Sequence, residues 1–542
     1  MSTGQHRGVV VGRQGMVAAS QPLAVSAGLN ILQSGGSFVD AALATSAVLC
    51  VTEPYASQVG GDAFVILYDA KTGRTTALNA SGAAPQAAAR EHFADGIPLR
   101  GLAAASVPGL VDAWFTLHAR WGTKPVGELF AAALHYAEEG FPAGYRYARV
   151  FAAQEELLRS FPSTAQAMLP EGTPPQPGQM VRQPDLAWTL RQIAEGGRDA
   201  FYLGPVAERI LRYSAESGGL FAAADFAAHK TQIGDPIKTT YRGYTVHGQP
   251  PVSQGHILLQ MLNLVEGFDL GAMGHNSTNS IHYQAEAKKL AFADRAAYLG
   301  DPDFVEVPLD MLLSKPYAAQ RRRLIQPLKA AAHVEAGTID HDTTYFCVAD
   351  AEGNAISFIQ SVFWGFGCAE VAAGTGVLFN NRMTGFSLDP SSPNVLAPGK
   401  RTAHTLNAYL ITQEAVVEGG ETQERLAFVG GTPGGDVQVQ SSLQVICNLI
   451  DFGLNPQEAV EAPRWQHGGA VGAADEPTAG QLAIENRVAL DVVVELEKRG
   501  HKIDALGPWA HSSAYQVIAV HPETGAFMAG SDPRCDGHAA GF

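Results

Sequence analysis

Charge is scarce in this chain. Only 17% of its 542 residues are Asp, Glu, Lys or Arg, while 46% are hydrophobic. That balance buries a sizeable core and excludes intrinsic disorder. The length suits two to four ordinary domains, or one large α/β body with two lobes. What charge there is leans acidic, 37 basic against 53 acidic residues, a net −16 at pH 7. An acidic body repels phosphate backbones and anionic lipid, so neither nucleic acid nor membrane is expected as a partner. Cysteine is scarce too. Cys50, Cys347, Cys368, Cys447 and Cys535 are scattered, odd in number and without a CxxC pair, which argues against a disulfide scaffold or zinc ribbon. No apolar run reaches the roughly 20 residues of a membrane helix, and the short one after Arg7 is no signal peptide. A soluble, cytoplasmic protein is the expectation.

Familiar catalytic motifs are missing as well. There is no GxxxxGK[ST], no HExxH, no EF-hand loop, no Cys/His cluster and no G-x-S-x-G elbow, so no cofactor and no metal is expected. Ser512 and Ser513 beside His511 are set aside, since adjacent residues are not expected to place a hydroxyl on an imidazole. Periodicity predicts helices over Ala24 to Gln33, Val39 to Cys50, Leu129 to Glu139, Ile257 to Val265, Ile281 to Leu299 (amphipathic), Val437 to Ile450 and Ala489 to Arg499. Residues 163 to 180 read as an extended surface loop. The pattern is α/β or α+β, helix-heavy to about residue 342 and strand-rich from 343 onward.

The boundary at Asp342-Thr343-Thr344 is the first unusual feature. A stretch of weak periodicity gives way to a strand, Thr343 to Asp350, that begins with two hydroxyls. A second strand, Ala355 to Trp364, follows after Ala351-Glu352-Gly353-Asn354. If Asp350 and Asn354 flank a three-residue loop with Gly353 left-handed, Thr343 lies opposite Ser361, within the one-residue shift of a bulge. An ordinary hairpin with threonines chosen for β propensity gives the same pattern. The second feature is Phe428-Val-Gly-Gly-Thr-Pro-Gly434-Gly435-Asp436, a strand entering a glycine loop that opens a helix. Backbone N–H groups there can hold an oxyanion; a tight strand-to-helix turn uses glycine equally well.

Together these segments resemble the γ-glutamyltransferases, N-terminal-nucleophile hydrolases made as a single precursor. Thr343 to Ala355 is similar to the start of their small subunit. Gly374-Thr-Gly-Val-Leu-Phe-Asn380-Asn381, Pro433-Gly434-Gly435, Gly530-Ser-Asp-Pro-Arg534, Glu286-Ala-Lys-Lys-Leu-Ala-Phe-Ala-Asp294-Arg295 and Gln58-Val-Gly-Gly-Asp62 match in the same order, over nearly the whole chain. The resemblance implies a four-layer αββα sandwich built jointly by a large α-rich subunit, 1–342, and a small β-rich subunit, 343–542. It implies self-cleavage of the Asp342–Thr343 bond, with Thr343 as nucleophile and its freed α-amine as base. Ser361 stands where the family has an orienting threonine, and Gly434 and Gly435 match its oxyanion-hole pair.

The family's glutamate-binding positions are changed. Its carboxylate-binding arginine is Ser81, its paired serines are His404 and Thr405, and its amine-binding acid is Gly385. The glutamine before that acid is Arg382, and an asparagine on the second strand is Phe363. These positions look like a divergent branch that includes oxamate amidohydrolase and glutathione hydrolase-like proenzymes. Arg382 would offer a bidentate fork for a small carboxylate, with pairing to a structural acid such as Asp389 as the other reading. The expected function is therefore hydrolysis of a small acidic amide of oxamate type. Weak or broad γ-glutamyl hydrolysis or transfer is the alternative, and an unprocessed scaffold or binding protein is the alternative of another class. Expected partners are the small-molecule amide and the two subunits of one precursor, with a homo-oligomer of processed heterodimers possible.

Overall fold

A computed structural model describes residues 5–331, 343–416, 422–468 and 480–542. Two seven-stranded antiparallel sheets face each other. The first runs His538–Gly541, Gly15–Ala19, Thr344–Asp350, Ala355–Ser361, Asp62–Asp69, Arg74–Asn79 and Gln232–Gly234. The second runs Val10–Gly12, Phe527–Ser531, Gln516–Val520, Thr422–Gly431, Tyr409–Val416, Tyr244–Gly248 and Ile237–Tyr241. Each sheet draws strands from both sides of residue 343, so both spans of the chain build the same body.

Alternation along the strands explains the layering. Tyr345, Cys347, Ala349 and Ile359 point between the sheets and meet Leu410, Val429 and Ile518 of the second sheet. Their neighbours Phe346, Val348, Ile356 and Phe358 point the other way, into a helical layer that includes Phe38–Thr52, Leu110–Trp121 and Val126–Glu138. A second helical layer, Gly255–Val265, Thr278–Tyr298 and Val437–Ile450, covers the outer face of the second sheet. The order is helix, sheet, sheet, helix. The Phe38–Thr52 helix is buried along its whole length, and a Ser37/Asp40 capping box closes its N-terminus. Among the described residues no helix is long and apolar enough to cross a membrane, and all five cysteines are free and buried.

Most elements fall where periodicity puts them, with differences. Residues 163–180 are not one surface loop: Pro162–Met168 is helical, and Thr164 is buried, its hydroxyl donating to the Ala369 carbonyl at 2.9 Å. The helix expected from Ile281 starts at Thr278, capped by Ser277, and is buried on more than one face, with Glu286, Lys288 and Lys289 inside. The second hairpin strand stops at Ser361 rather than Trp364, because Phe363 turns into the left-handed region with φ +84°.

Candidate active site

The hairpin has the expected register. Gly353 takes φ +86°, and Thr344 pairs with Gln360, Tyr345 with Ile359 and Phe346 with Phe358. A tight loop sets register locally, so Thr343 falls beside Ser361, and their hydroxyl oxygens are 3.0 Å apart. Across the next strand Ser361 pairs with Asp62. Thr343, Ser361 and Asp62 thus form a row on the face that looks toward the second sheet. Thr343 is 6% exposed. Asp342 lies outside the described residues.

The glycine loop comes to this row from the opposite sheet. Its strand ends at Gly430-Gly431, and a Cβ on Gly431 would sit 2.4 Å from the Tyr345 ring, so only glycine lets that strand lie on the one that follows Thr343. Gly434 and Gly435 then take φ +119° and +54°, and the helix opens at Val437. Neither glycine N–H donates to any described residue. Gln254 fastens the loop from behind, its Nε2 donating to the carbonyls of Gly435 (3.1 Å) and Thr405 (2.7 Å). Arg295 donates to the Gln254 side chain at 2.7 Å and forks onto Asp436. The serine–histidine pair set aside above does form: the chain bends at Ser512, and His511 Nδ1 lies 2.8 Å from Ser513 Oγ. That hydroxyl also accepts from Arg464 and is buried. It underlies the glycine loop.

Arg382 is not free to bind a carboxylate. It is 2% exposed, with Nε 2.7 Å and Nη2 3.1 Å from the two oxygens of Asp62. Asp389, the acid considered for it, sits instead in an exposed turn with Ser391. His404 Nε2 lies 2.9 Å from the same Asp62 carboxylate, and its ring packs on Phe64. Burial alone would raise the Asp62 carboxyl, but Arg382 and His404 hold it down at about 2. Burial and the Arg382 charge push the His404 imidazole to about 4, so it is neutral at pH 7. The Arg382 guanidinium also stacks 4.4 Å from the Phe363 ring, and the Phe363 N–H donates to Ser361 Oγ at 2.8 Å. Three of the altered positions, 363, 382 and 404, therefore converge around an aspartate to which the sequence assigned no role. Ser81 does not join them. Its hydroxyl donates to Asn79 at 2.6 Å and its carbonyl accepts from Arg401 at 3.0 Å.

A cavity of about 300 Å³ opens beside this group, lined by Leu299, Phe363, Trp364, Phe386, His404 and Thr405 among others. Its charged lining residues, Arg295 and Asp436, face each other as an ion pair. A larger depression of about 600 Å³ around Arg242 and Asp451 contains none of the residues above.

Metal-ligand side chains do converge elsewhere. His282, Glu286 and His501 place ligand atoms within 4.8 Å of one another, a grouping no sequence spacing discloses. Their atoms are committed. His282 uses one nitrogen on His501 and the other on the Gln326 carbonyl, both at 2.8 Å. Glu286 holds Lys289 at 2.7 Å and the Ala331 N–H at 3.1 Å. With Lys289 and Arg499 adding positive charge, this is a closed hydrogen-bonded cluster rather than a dication site.

Residues 24–542 match the family model for gamma-glutamyltranspeptidase. The chain is 37% identical over 536 residues to the glutathione hydrolase-like YwrD proenzyme of Bacillus subtilis, covering 98% of this chain and 99% of that one. It is 36% identical to the acylase ACY 1 proenzyme of a Pseudomonas strain, over 91% and 88%. It is 33% identical to the oxamate amidohydrolase proenzyme of Klebsiella pneumoniae, over 98% and 99%. The crystal structure of cephalosporin acylase from Bacillus halodurans superimposes with a TM-score of 0.90 at 36% identity, over 100% of this chain and 98% of that one.

Proposed function

The chain belongs to the gamma-glutamyltranspeptidase family of hydrolase and transferase proenzymes, and on that premise we propose that it is a self-processing N-terminal threonine amidohydrolase. The observation that carries the reading is the Thr343 hydroxyl, 3.0 Å from Ser361 at the start of a strand, together with a Gly434-Gly435 loop whose N–H groups donate to no described residue. In maturation the Thr343 hydroxyl attacks the carbonyl of residue 342. The peptide becomes an ester, and water hydrolyses it, leaving a carboxylate on 342 and an α-amine on 343. An α-amine titrates at about 7.7–8.0, so at neutral pH a fraction is unprotonated and can take the proton from the hydroxyl of its own residue. The hydroxyl then attacks the substrate amide, and the N–H groups of Gly434 and Gly435 hold the developing oxyanion. The leaving amine departs with the proton, and water, or an amine acceptor, resolves the acyl ester. Because both pieces contribute to both sheets, the αββα sandwich of N-terminal-nucleophile hydrolases stays whole after the cut.

The cavity bears on the substrate. With Arg382 committed to Asp62 and Arg295 to Asp436, neither of these two cations is left to pair with a small carboxylate. Phe363, Trp364, Phe386 and Leu299 favour an uncharged, partly apolar acyl group. We therefore move the substrate class from an oxamate-type acid to an amide with a neutral acyl group, a chemistry in keeping with the similarity to acylases. The similarity to oxamate amidohydrolase keeps the small acid as the second reading. A panel of oxamate, glutathione, a γ-glutamyl anilide and a neutral aliphatic or aromatic acyl anilide decides the matter on processed protein. The highest kcat/KM is expected for the neutral acyl anilide, and a clear preference for oxamate overturns this choice. Protein that stays one intact chain, inactive on every amide, supports the scaffold instead.

A further inference from the structure

Behind the nucleophile, on the opposite face of its strand, lies a group that the mechanism above does not use. Thr344 points into the helical layer. There its Oγ1 lies 2.8 Å from Glu53 Oε2, at the C-terminal cap of the helix Phe38–Thr52. Ser20 Oγ lies 2.6 Å from that same carboxyl oxygen and 2.6 Å from Thr344 Oγ1. All three side chains are buried, Thr344 fully and the other two within 5% of it.

Proton counting decides the state of this ring. Three oxygens in mutual contact at 2.6–2.8 Å need three hydrogens between them, since two lone pairs at that distance repel. The two hydroxyls supply two, and the third has to come from the carboxyl. The surroundings agree. Burial, the largest influence, raises the Glu53 carboxyl above its ordinary value and outweighs the downward pull of the Ser20 and Thr344 hydroxyls and of Arg146, with Asp536 adding to the rise. Among the described residues no cation is hydrogen-bonded to it.

We propose that Glu53 is held as a neutral carboxylic acid in a closed ring with Ser20 and Thr344, and that the ring is a positioning device for Thr343. The proposal rests on Thr343 being the nucleophile. The ring ties the second residue of the strand to the helical layer, so the first residue, with its amine and hydroxyl, cannot swing from Ser361. Its neutrality matters as well: a carboxylate one residue from the α-amine would stabilise the ammonium form and withdraw the base.

The test uses full-length protein. Thr344→Val and Ser20→Ala each open the ring with little change of volume. Each is expected to slow self-cleavage and lower kcat by about 10- to 100-fold, as loss of orientation does, with KM little changed and the fold intact by circular dichroism. Glu53→Gln keeps a neutral donor and should stay within about threefold of wild type, whereas an ionised Glu53 would make this variant as slow as the other two. Infrared difference spectra of wild type against Glu53→Gln should show a carboxylic-acid C=O band at neutral pH, where an ordinary glutamate has lost it. A missing band, or wild-type rates in both ring-opening variants, overturns the proposal. Thr343→Ala separates this from the parent reading: if that variant still cleaves, the nucleophile is wrong, whatever the ring does.

Discussion

Two buried acids flank the hairpin that joins Thr343 to Ser361, and their carboxyls shift in opposite directions. Asp62, between the sheets, is fully buried and ionised, with its carboxyl at about 2. Glu53, under the helices, is 4% exposed and its carboxyl is raised. Burial penalises both charges, so burial is not what separates them. The difference is in their partners. Asp62 has a guanidinium fork and an imidazole within 3.1 Å, while Glu53 has two hydroxyls within 2.8 Å. A buried carboxyl is held low when a cation stands in hydrogen-bond contact, and is pushed up where burial outweighs its hydrogen-bond donors. One face of the strand thus carries an ion-paired carboxylate, and the other a carboxyl raised by burial.

The largest test of that contrast removes the reacting group the two acids flank. Thr343→Ala should abolish both cleavage and turnover, leaving full-length chain on a denaturing gel where wild type is expected to give two fragments. Next in size is Asp62→Asn, which leaves Arg382 buried without its carboxylate. Breaking a buried pair from one side costs about 3–5 kcal/mol, to be read from urea unfolding, and Arg382→Ala should fall in the same range. If Arg382→Ala instead leaves stability untouched and damages only kcat/KM on small acids, Arg382 is a substrate ligand after all. Ser361→Ala should cost about 1 kcal/mol in stability while lowering kcat and the cleavage rate by considerably more.

The pH dependence separates the two acids further. His229, His247, His256 and His404 are each pushed to about 4, chiefly by burial, from an ordinary 6.5. Their unfolded forms take up protons first, so stability should be full above about pH 6.5 and fall progressively toward pH 4. The Asp62 contribution outlasts this and is lost only below its ordinary 3.8, toward 2. Melting temperature against pH checks that order. The smallest effect is expected at Glu53→Gln, about 1 kcal/mol or less at neutral pH. Its sign is opposite: a raised carboxyl favours the folded state most below 4.5, so the Gln variant should gain on wild type as pH rises.

How much of this was legible beforehand depends on distance along the chain. Helix spans such as Val437–Ile450 and the hairpin were readable because periodicity and a three-residue turn are local. Asp62 was visible in Gly60-Gly61-Asp62 as an acid opening an apolar strand, the one signal that marked it. Glu53, between Thr52 and Pro54, carried none beyond being an acid at the end of an apolar helix. Arg382 was read without the partner the fold gives it, Asp62.

From the sequence alone came most of the helix spans, the hairpin that sets Thr343 against Ser361, the glycine loop and the family. Each is encoded in a short window, where turn geometry and side-chain spacing leave few alternatives. Only the tertiary structure joined Asp62 to Arg382 across 320 residues and Glu53 to Thr344 across 291. No local pattern specifies which distant strands and helices meet, and a buried group takes its charge from whatever the fold sets beside it.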